Sequence, residues 1–240
     1  MVIVHHLENS RSQRVLWALE ELGVPYEVKK YERDPVTNLA PESLKQVHPL
    51  GKSPVITDQS TESGPITIAE SGAIIEYLAL TYGKENFTPA VGTEASRQYN
   101  YWMHFSEGSL MPPLLLKLVF DKVRSSPMPF FAKPIAKQIS GKVMKSYVGP
   151  TIKGNLIFID NFLSNNEWFA GSELTGADIQ MSFPLEACVA SGVADKYPNM
   201  RTCFAHGNQF GQVNVGRRIQ GFEGRPDLFK GRTNPIKSLG

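Results

Sequence analysis

Three small polar residues, Asn9, Ser10 and Ser12, stand at the start of a helical pattern that runs to Leu22. Side chains of this type accept hydrogen bonds from the first backbone N–H groups of a helix. The same helix start carries the positive end of the helix dipole, which favours a bound anion. Two interpretations follow from these residues alone: a capped helix and nothing more, or a helix start that holds an anionic group.

Cysteine and histidine chemistry is not indicated. The two cysteines, Cys188 and Cys203, are distant in sequence from Ser10, so a mixed-disulfide mechanism has no nucleophile near that helix start. They also indicate a reducing compartment without a disulfide framework. The histidines lack the spacings of HExxH or Cys-rich zinc sites, and we expect no metal. They are His5, His6, His48, His104 and His206.

Periodicity predicts a small α/β layer over residues 1–83. Apolar residues at helical spacing predict helices, alternating residues predict strands, and glycines end both long helices. The first two strands are expected to be parallel and the last two to form an antiparallel hairpin. The predicted elements are a strand Val2–His6, a helix Ser12–Leu22, a strand Tyr26–Tyr31, a short helix Pro41–Val47, strands Pro54–Asp58 and Ile66–Ala69, and a helix Ser71–Tyr82.

Residues 84–93 lack periodicity and are predicted to be a linker to an all-helical domain, 94–240. Pro112 and Pro113 should kink or break the first long helix. Trp102, Phe105 and Met111 are spaced as core residues. The predicted helices are Glu94–Val123, Ser140–Leu163 and Thr175–Ala190.

A capping box is predicted at the start of the last of these helices. Thr175 and Asp178 have the spacing at which the threonine caps the helix and the carboxylate accepts from the threonine backbone N–H. Leu174 and Ile179 are placed as the accompanying hydrophobic staple.

Composition limits the class of protein. The 240 residues are 41% hydrophobic and 20% charged, which is typical of a globular protein that can bury a sizeable core. A net charge of +2 is too small to indicate nucleic-acid binding. No targeting segment is visible, and the longest apolar stretch is too short to span a membrane. A cytoplasmic location is the default expectation.

Five segments, taken in order, resemble the cytosolic glutathione transferases, and most of all the fungal GTT class and its bacterial relatives. They are HHLENSRSQRVLWALEELGVPYE, HPLGKSPVI, IAESGAIIEYL, YWMHFSEGSLMPPLL and LTGADIQMSFPL. The resemblance covers about residues 1–205. It implies a thioredoxin-like glutathione-binding domain, an all-α domain that holds a second substrate, and a homodimer.

Glutathione-binding residues are expected on the first domain. Ser53-Pro54 is a candidate cis peptide that leaves the backbone of Val55 free to pair with the cysteinyl unit of glutathione. Lys52 would neutralise the glycyl carboxylate, or is simply a solvated lysine. Ser71, at the start of its helix, would cap it and hold the γ-glutamyl carboxylate, and Glu70 would bind the ammonium group.

Serine-type members of the family place the active serine four residues before an arginine that matches Arg14. This spacing selects Ser10 as the residue that stabilises the glutathione thiolate, with Asn9 as the alternative, and predicts little effect from loss of Ser12. Tyr101 and Phe105, four residues apart on a helix, are expected to line the second-substrate pocket.

The sequence thus predicts a glutathione S-transferase that directs the thiolate at a small apolar electrophile or an organic hydroperoxide. Glutathione is the cosubstrate, and no other cofactor is expected. Two alternatives remain open: a specialised glutathione-dependent lyase, isomerase or dehalogenase, and a non-catalytic glutathione-binding or regulatory module.

One segment departs from the family pattern. Gly207, Gly211 and Gly216 interrupt the region where family members have a continuous final helix. Each interior glycine costs about 1 kcal/mol relative to alanine in a helix. We therefore predict a loop or insertion within Ala205–Gly216.

Overall fold

The structure is a computed structural model that describes residues 1–8, 10–83 and 87–203. Four strands and seven α-helices follow one another in the order β1-α1-β2-β3-β4-α2-α3-α4-α5-α6-α7 in these residues. The strands are β1 Val2–Leu7, β2 Tyr26–Tyr31, β3 Val55–Asp58 and β4 Ile66–Ala69. The helices are α1 Ser12–Leu22, α2 Ser71–Tyr82, α3 Glu94–Phe105, α4 Met111–Ser125, α5 Ala132–Val143, α6 Gly149–Leu163 and α7 Gly176–Ala190.

The sheet has the strand order β2-β1-β3-β4. β1 pairs parallel with β2 and antiparallel with β3, which in turn pairs antiparallel with β4. These pairings confirm the predicted parallel unit and hairpin. The predicted short helix before the hairpin is a 3₁₀ segment, Glu42–Gln46.

Helices α1 and α2 have the predicted limits. Helix α1 buries Val15, Leu16 and Leu19 completely, which accounts for its apolar spacing. It ends at Gly23, whose positive φ of 66° suits the residue without a Cβ. Both helices pack against α7 from the helical part of the chain.

The helical run from residue 94 differs from the prediction in detail. A π-helical turn, Ser106–Leu110, joins α3 to α4, and Pro112 and Pro113 lie in the first turn of α4. Because the π-helical turn runs directly into α4, with Met111 N–H donating to the Ser106 carbonyl oxygen, each proline removes a donor from a continuous helical run. The amide of Asn155 donates to the Ser109 carbonyl oxygen at 2.8 Å, which replaces the donor that Pro113 lacks.

The predicted helix 140–163 is part of a longer helical run. It begins at Ala132 as α5, passes through a π-helical turn at Met144–Val148, and continues as α6. The predicted capping box at the start of α7 is confirmed: Thr175 caps the helix, and Asp178 accepts from the Thr175 N–H at 2.8 Å.

One hydrophobic core spans the sheet and the helices. It runs from Val4 of β1, through α1 and α2, to Trp102 of α3 and Ile179 of α7. Trp102, Phe105 and Met111 are buried, as their spacing predicts. Part of the predicted linker also contributes to the core, because Phe87 is buried and its carbonyl oxygen accepts from Gly176 N–H. Residues 84–86 and the predicted loop at 205–216 lie outside the described residues.

Candidate functional site

Ser10 lies between β1 and α1, and its side chain is part of a cluster of hydroxyl groups. Its Oγ is 2.7 Å from Ser12 Oγ and 3.3 Å from Ser53 Oγ, and it accepts from the Ser12 backbone N–H at 3.3 Å. Ser10 is only 7% exposed. Asn9, the alternative active residue, lies outside the described residues.

The N-terminal cap of α1 differs from the expected one. The residue in the cap position is Arg11, in a helical conformation, and no side-chain cap hydrogen bond is found for it among the described residues. Ser10 instead supplies its oxygen to the Ser12 N–H from one position earlier. A helix start of this kind keeps Ser10 beside the end of the helix dipole.

Ser53 connects the hydroxyl cluster to the sheet. The Ser53-Pro54 peptide bond is cis, as predicted. Ser53 Oγ donates to the His5 carbonyl oxygen at 2.8 Å and accepts from Leu7 N–H at 3.3 Å. Because a serine hydroxyl has a single hydrogen, Ser53 can only accept from Ser10.

The expectation that Val55 offers a free backbone is wrong. Val55 is the first residue of β3, where it is paired with His5 of β1 on one side and with Ala69 of β4 on the other. With a strand of the same sheet on each side, the Val55 backbone has no free sheet edge for an added peptide. Ser53 precedes the start of β3 and is the nearer candidate for this pairing.

Glu70 and Ser71 stand where β4 turns into α2. Glu70 occupies the N-cap position and has a φ of 72°, rare for a residue with a side chain. Backbone strain of about 1–3 kcal/mol of this kind is concentrated at ligand-binding and catalytic positions. Glu70 is exposed and Ser71 is buried. Ser71 is thus the first helical residue rather than the expected cap.

Arg14 connects Ser71 to the helical part of the chain. Its Nη1 donates to Ser71 Oγ at 3.0 Å and to Glu107 Oε1 at 2.6 Å, and its Nη2 donates to Ser106 Oγ at 3.3 Å. The guanidinium also lies over the ring of Phe183, 5.3 Å from the centroid. Ser71 is therefore held by a buried cation, which fixes its oxygen at the start of α2.

Glu107 balances the charge of two arginines. Besides Arg14, it accepts from Arg11 Nε at 2.9 Å. Burial lowers the pKa of Arg14 to about 10, opposed by Glu107, so that Arg14 stays charged at neutral pH. Burial acts to raise the pKa of Glu107, but the charges of Arg14 and Arg11 outweigh it and hold this pKa below its usual value.

His6 extends the hydroxyl cluster on its far side. Its Nδ1 is 2.8 Å from Ser12 Oγ, so that Ser12 lies between the imidazole and Ser10. Burial, with a smaller effect from Lys30, lowers the pKa of His6 to about 4. The ring is therefore neutral near pH 7, and its tautomer determines which way the hydrogen bonds run.

The remaining expected site residues lie in different surroundings. Lys52 is exposed beside Ser53. Tyr101 is 46% exposed and Phe105 only 8%, and their rings stack with centroids 5.7 Å apart. Both rings also pack against Phe158 of α6. Their assignment to a second-substrate pocket stays a prediction.

The two thiols are poor nucleophiles. Burial raises the pKa of Cys188 and of Cys203 to about 12 in each case. In the described part of the chain, no group of three or more His, Cys, Asp or Glu side chains is placed to hold a metal ion. Within the same residues, no helix has the length and apolar character needed to cross a membrane.

The contacts that hold the site together were not predicted from the sequence. Arg14 was used only to identify Ser10 by its spacing, His6 was considered only as a metal ligand, and no role was predicted for Glu107 or Ser106. The one available signal was a glutamate inside a helical stretch rich in apolar residues. Its partners are more than 90 residues away in sequence, so no spacing rule could identify them.

Known proteins that resemble this chain in sequence and in fold are glutathione transferases. Residues 10–81 match the glutathione S-transferase N-terminal domain family. Glutathione S-transferase 3 of Schizosaccharomyces pombe is 41% identical over 203 residues, covering 84% of this chain and 80% of that protein. The crystal structure of a glutathione S-transferase from Actinobacillus pleuropneumoniae is 32% identical, with a TM-score of 0.67, covering 95% of this chain and 99% of that one.

A glutathione transferase homolog from Lodderomyces elongisporus shares the fold, with a TM-score of 0.69 and 19% identity. The match covers 91% of this chain and 98% of that one, and that structure contains two GSH per subunit. The expected fold, a thioredoxin-like domain followed by a helical one, is confirmed, as is the resemblance to fungal and bacterial relatives. The chain belongs to the glutathione S-transferase family.

Proposed function

We propose that this protein is a glutathione transferase that binds glutathione along Ser10, Ser53 and Ser71 and stabilises its thiolate. The proposal is carried by the contacts of these residues. The hydroxyls of Ser10 and Ser53 are 3.3 Å apart, and Ser71, at the start of α2, accepts a hydrogen bond from the buried Arg14. The start of α1 thereby contacts the cis-proline turn through Ser53, and Arg14 of α1 connects it to the start of α2.

Each part of glutathione has a matching group. The N-terminus of α2, with the Ser71 hydroxyl, suits the γ-glutamyl carboxylate, and the exposed Glu70 carboxylate suits the ammonium group. The exposed Lys52 suits the glycyl carboxylate. The cysteinyl unit would pair with the backbone of Ser53, since Val55 is already paired with strands on both sides.

Ser10 would act by donating a hydrogen bond to the glutathione sulfur. Lowering the pKa of that thiol by about 2 requires roughly 2.7 kcal/mol. A hydrogen bond to a charged acceptor contributes about 1.5–3 kcal/mol. The helix terminus adds roughly 0.3–1 kcal/mol, so the two together are sufficient. Because burial raises the pKa of both cysteines to about 12, the attacking sulfur would belong to glutathione itself.

The second substrate would be an apolar electrophile or an organic hydroperoxide, held beside the helical part of the chain with Tyr101 and Phe105 as candidate contacts. We further propose a division into a glutathione-binding domain, 1–83, a linker, 84–93, and a helical domain, 94–240. The shared core means that the two domains are packed as one body rather than joined loosely.

Steady-state turnover of an aryl chloride and of cumene hydroperoxide, each with glutathione, tests the activity. Conjugation of the aryl chloride supports a transferase, and reduction of the hydroperoxide supports the peroxidase reaction as well. Tight binding of glutathione without either reaction would favour the non-catalytic module. Activity only on other classes of substrate would favour a specialised lyase, isomerase or dehalogenase.

Ser10→Ala tests the role of the serine. We expect turnover to fall by about 10- to 100-fold, as loss of a charge-assisted hydrogen bond predicts. The pKa of bound glutathione, followed by thiolate absorbance, should rise while glutathione affinity stays nearly unchanged. Asn9→Ala is the comparison: loss of activity there, with Ser10→Ala near wild type, would move the assignment to Asn9.

A further inference from the structure

His6 is the last group of a hydrogen-bonded chain that begins at Ser10. Its Nδ1 is 2.8 Å from Ser12 Oγ, and Ser12 Oγ is 2.7 Å from Ser10 Oγ. Side chains alternate between the two faces of a strand, so His6 shares a face of β1 with Val4, which packs in the core between β1 and α1. The imidazole therefore lies on the α1 side of the sheet, where it contacts the first residue of that helix.

Ser12 connects the imidazole to Ser10 inside the protein, away from solvent. Its side chain is completely buried, and within the described part of the chain its hydroxyl forms hydrogen bonds only with His6 and Ser10. A serine hydroxyl has one hydrogen, so Ser12 can donate to one of these neighbours and must accept from the other. The direction of hydrogen bonding along the chain therefore depends on whether His6 Nδ1 carries a proton.

A thiolate bound beside Ser10 would select one of the two directions. The sulfur takes the Ser10 hydrogen, so Ser10 Oγ then faces Ser12 as an acceptor, and Ser12 must give its own hydrogen to Ser10. Ser12 is left with lone pairs on the side of His6 Nδ1, 2.8 Å away. A lone pair on Nδ1 would be repelled at that distance, whereas an Nδ1–H group donates a hydrogen bond.

We propose that His6 is a positioning residue for thiolate formation, and that its Nδ1–H tautomer directs the Ser10 hydrogen at the glutathione sulfur. The inference rests on the proposed function, since it needs glutathione bound beside Ser10. His6 itself would touch neither glutathione nor the second substrate. Burial and the charge of Lys30, its neighbour on β2, lower the pKa of His6 to about 4. The ring thus holds a single proton near neutral pH, and the position of that proton is what matters.

NMR of the imidazole nitrogens is the direct test of the tautomer. The full chain contains five histidines, and the His6 signals are assigned by their absence from the spectrum of His6→Leu. When the wild type is saturated with glutathione at neutral pH, we expect His6 to have a protonated Nδ1 and an unprotonated Nε2. A complex in which Nε2 carries the proton would overturn the proposal.

Substitution of His6 tests the consequence for the thiolate. His6→Leu removes the donor, so we expect turnover to fall about 2- to 10-fold and the pKa of bound glutathione to rise by about 0.3–1. His6→Asn carries an amide N–H on the same carbon position as Nδ1 and should restore most of both. Binding of S-methylglutathione, which has no thiol to ionise, should be the same in all three proteins.

A double-mutant cycle separates this role from a general effect of His6 on the fold. In Ser12→Ala the chain is already broken, so adding His6→Leu should change turnover by less than about twofold and leave the pKa of bound glutathione nearly unchanged. His104→Leu removes an exposed imidazole of α3 and is the control, which should match the wild type. Thermal melting verifies that each variant is folded.

Failure of this inference is distinguishable from failure of the proposed function. Wild-type turnover and an unchanged pKa of bound glutathione in His6→Leu would overturn the role of His6, as would equal effects of His6→Leu with and without Ser12. Weaker binding of S-methylglutathione by His6→Leu would also overturn it, because the histidine would then support the site as a whole. If the wild type binds glutathione with a lowered thiol pKa, these results remove only the role of His6. A wild type that does not bind glutathione would overturn both proposals.

Discussion

At the scale of single residues, the direction of a few hydrogen bonds determines what Ser10 can do. Ser53 directs its only hydrogen at the His5 carbonyl, so it cannot donate to Ser10. Ser12 can donate to Ser10 only if His6 Nδ1 carries a proton and donates to Ser12. In that arrangement the Ser10 hydrogen points to Ser53 Oγ at 3.3 Å, and a bound thiolate would replace Ser53 as its acceptor. In the opposite arrangement Ser10 donates to Ser12 instead.

This geometry changes the expectation for Ser12, whose loss was predicted from the sequence to matter little. Ser12→Ala removes the 2.7 Å contact that orients the Ser10 hydroxyl. Turnover should fall by about 2- to 10-fold, as the net energy of one neutral hydrogen bond implies. The pKa of bound glutathione should rise by less than in Ser10→Ala. Wild-type turnover and an unchanged pKa of bound glutathione in Ser12→Ala would show that Ser12 does not affect the Ser10 hydroxyl.

At the scale of elements, the start of α7 is fixed by one buried carboxylate. Asp178 accepts from Thr175 N–H and Oγ1 and also from Phe169 N–H, each at 2.8 Å. Burial raises its pKa to about 6, although these donors oppose the shift. The folded pKa thus exceeds the unfolded one, so this group contributes most to stability at acidic pH. Its contribution declines as the pH rises from about 4 to about 6.

Asp178→Ala should lower the free energy of unfolding by about 2–4 kcal/mol. Loss of the cap accounts for about 1–2 kcal/mol, and an unsatisfied Phe169 N–H adds to it. Urea denaturation at neutral pH measures the change, and glutathione binding should be nearly unaffected. Asp178→Asn keeps one acceptor oxygen and should lose less. A melting temperature equal to that of the wild type in Asp178→Ala would contradict this account.

The contact between α1 and the π-helical turn depends on Glu107. Because the pKa of Glu107 is lowered below its usual 4.5, its contribution to stability is complete above that pH and is lost as the pH falls through the folded value. Glu107→Gln should therefore destabilise the protein by about 1.5–3 kcal/mol at neutral pH. At acidic pH, the free energy of unfolding of this variant should also depend less on pH than that of the wild type.

Glu94→Gln is the matched control for this prediction. Glu94 also pairs with an arginine, Arg97, on the helix just before the π-helical turn, but both side chains are 66% exposed. Exposed ion pairs contribute little to stability, so the free energy of unfolding of this variant should be close to that of the wild type. Equal effects of the two substitutions would show that the Glu107 pairs are no stronger than surface pairs.

At the scale of the whole molecule, we predict a homodimer that buries apolar surface between the first domain of one subunit and the helical domain of the other. The prediction is founded on the family resemblance. Leu80 of α2, 78% exposed, is an apolar side chain of the first domain that is available for such a contact. Light scattering at micromolar concentration should give twice the mass of the chain, and the mass of a single chain would refute the prediction.

The sequence by itself determined the features that arise from neighbours along the chain. The limits of α1 and α2, the parallel pair β1–β2, the hairpin β3–β4, the cis Ser53-Pro54 bond and the capping box of Thr175 were all predicted and are present. Helical spacing, cap chemistry and the special amide of proline act over a few residues. The order of such motifs also sufficed to identify the family.

Only the tertiary structure decided how the site is held together. The occupied backbone of Val55 depends on the order of the strands, and the burial of Arg14 between Ser71 and Glu107 depends on how α1 packs against α2, α7 and the π-helical turn. These partners are 57 and 93 residues from Arg14 in sequence. Contacts at such separations are set by packing in three dimensions, and they leave no periodic pattern along the chain.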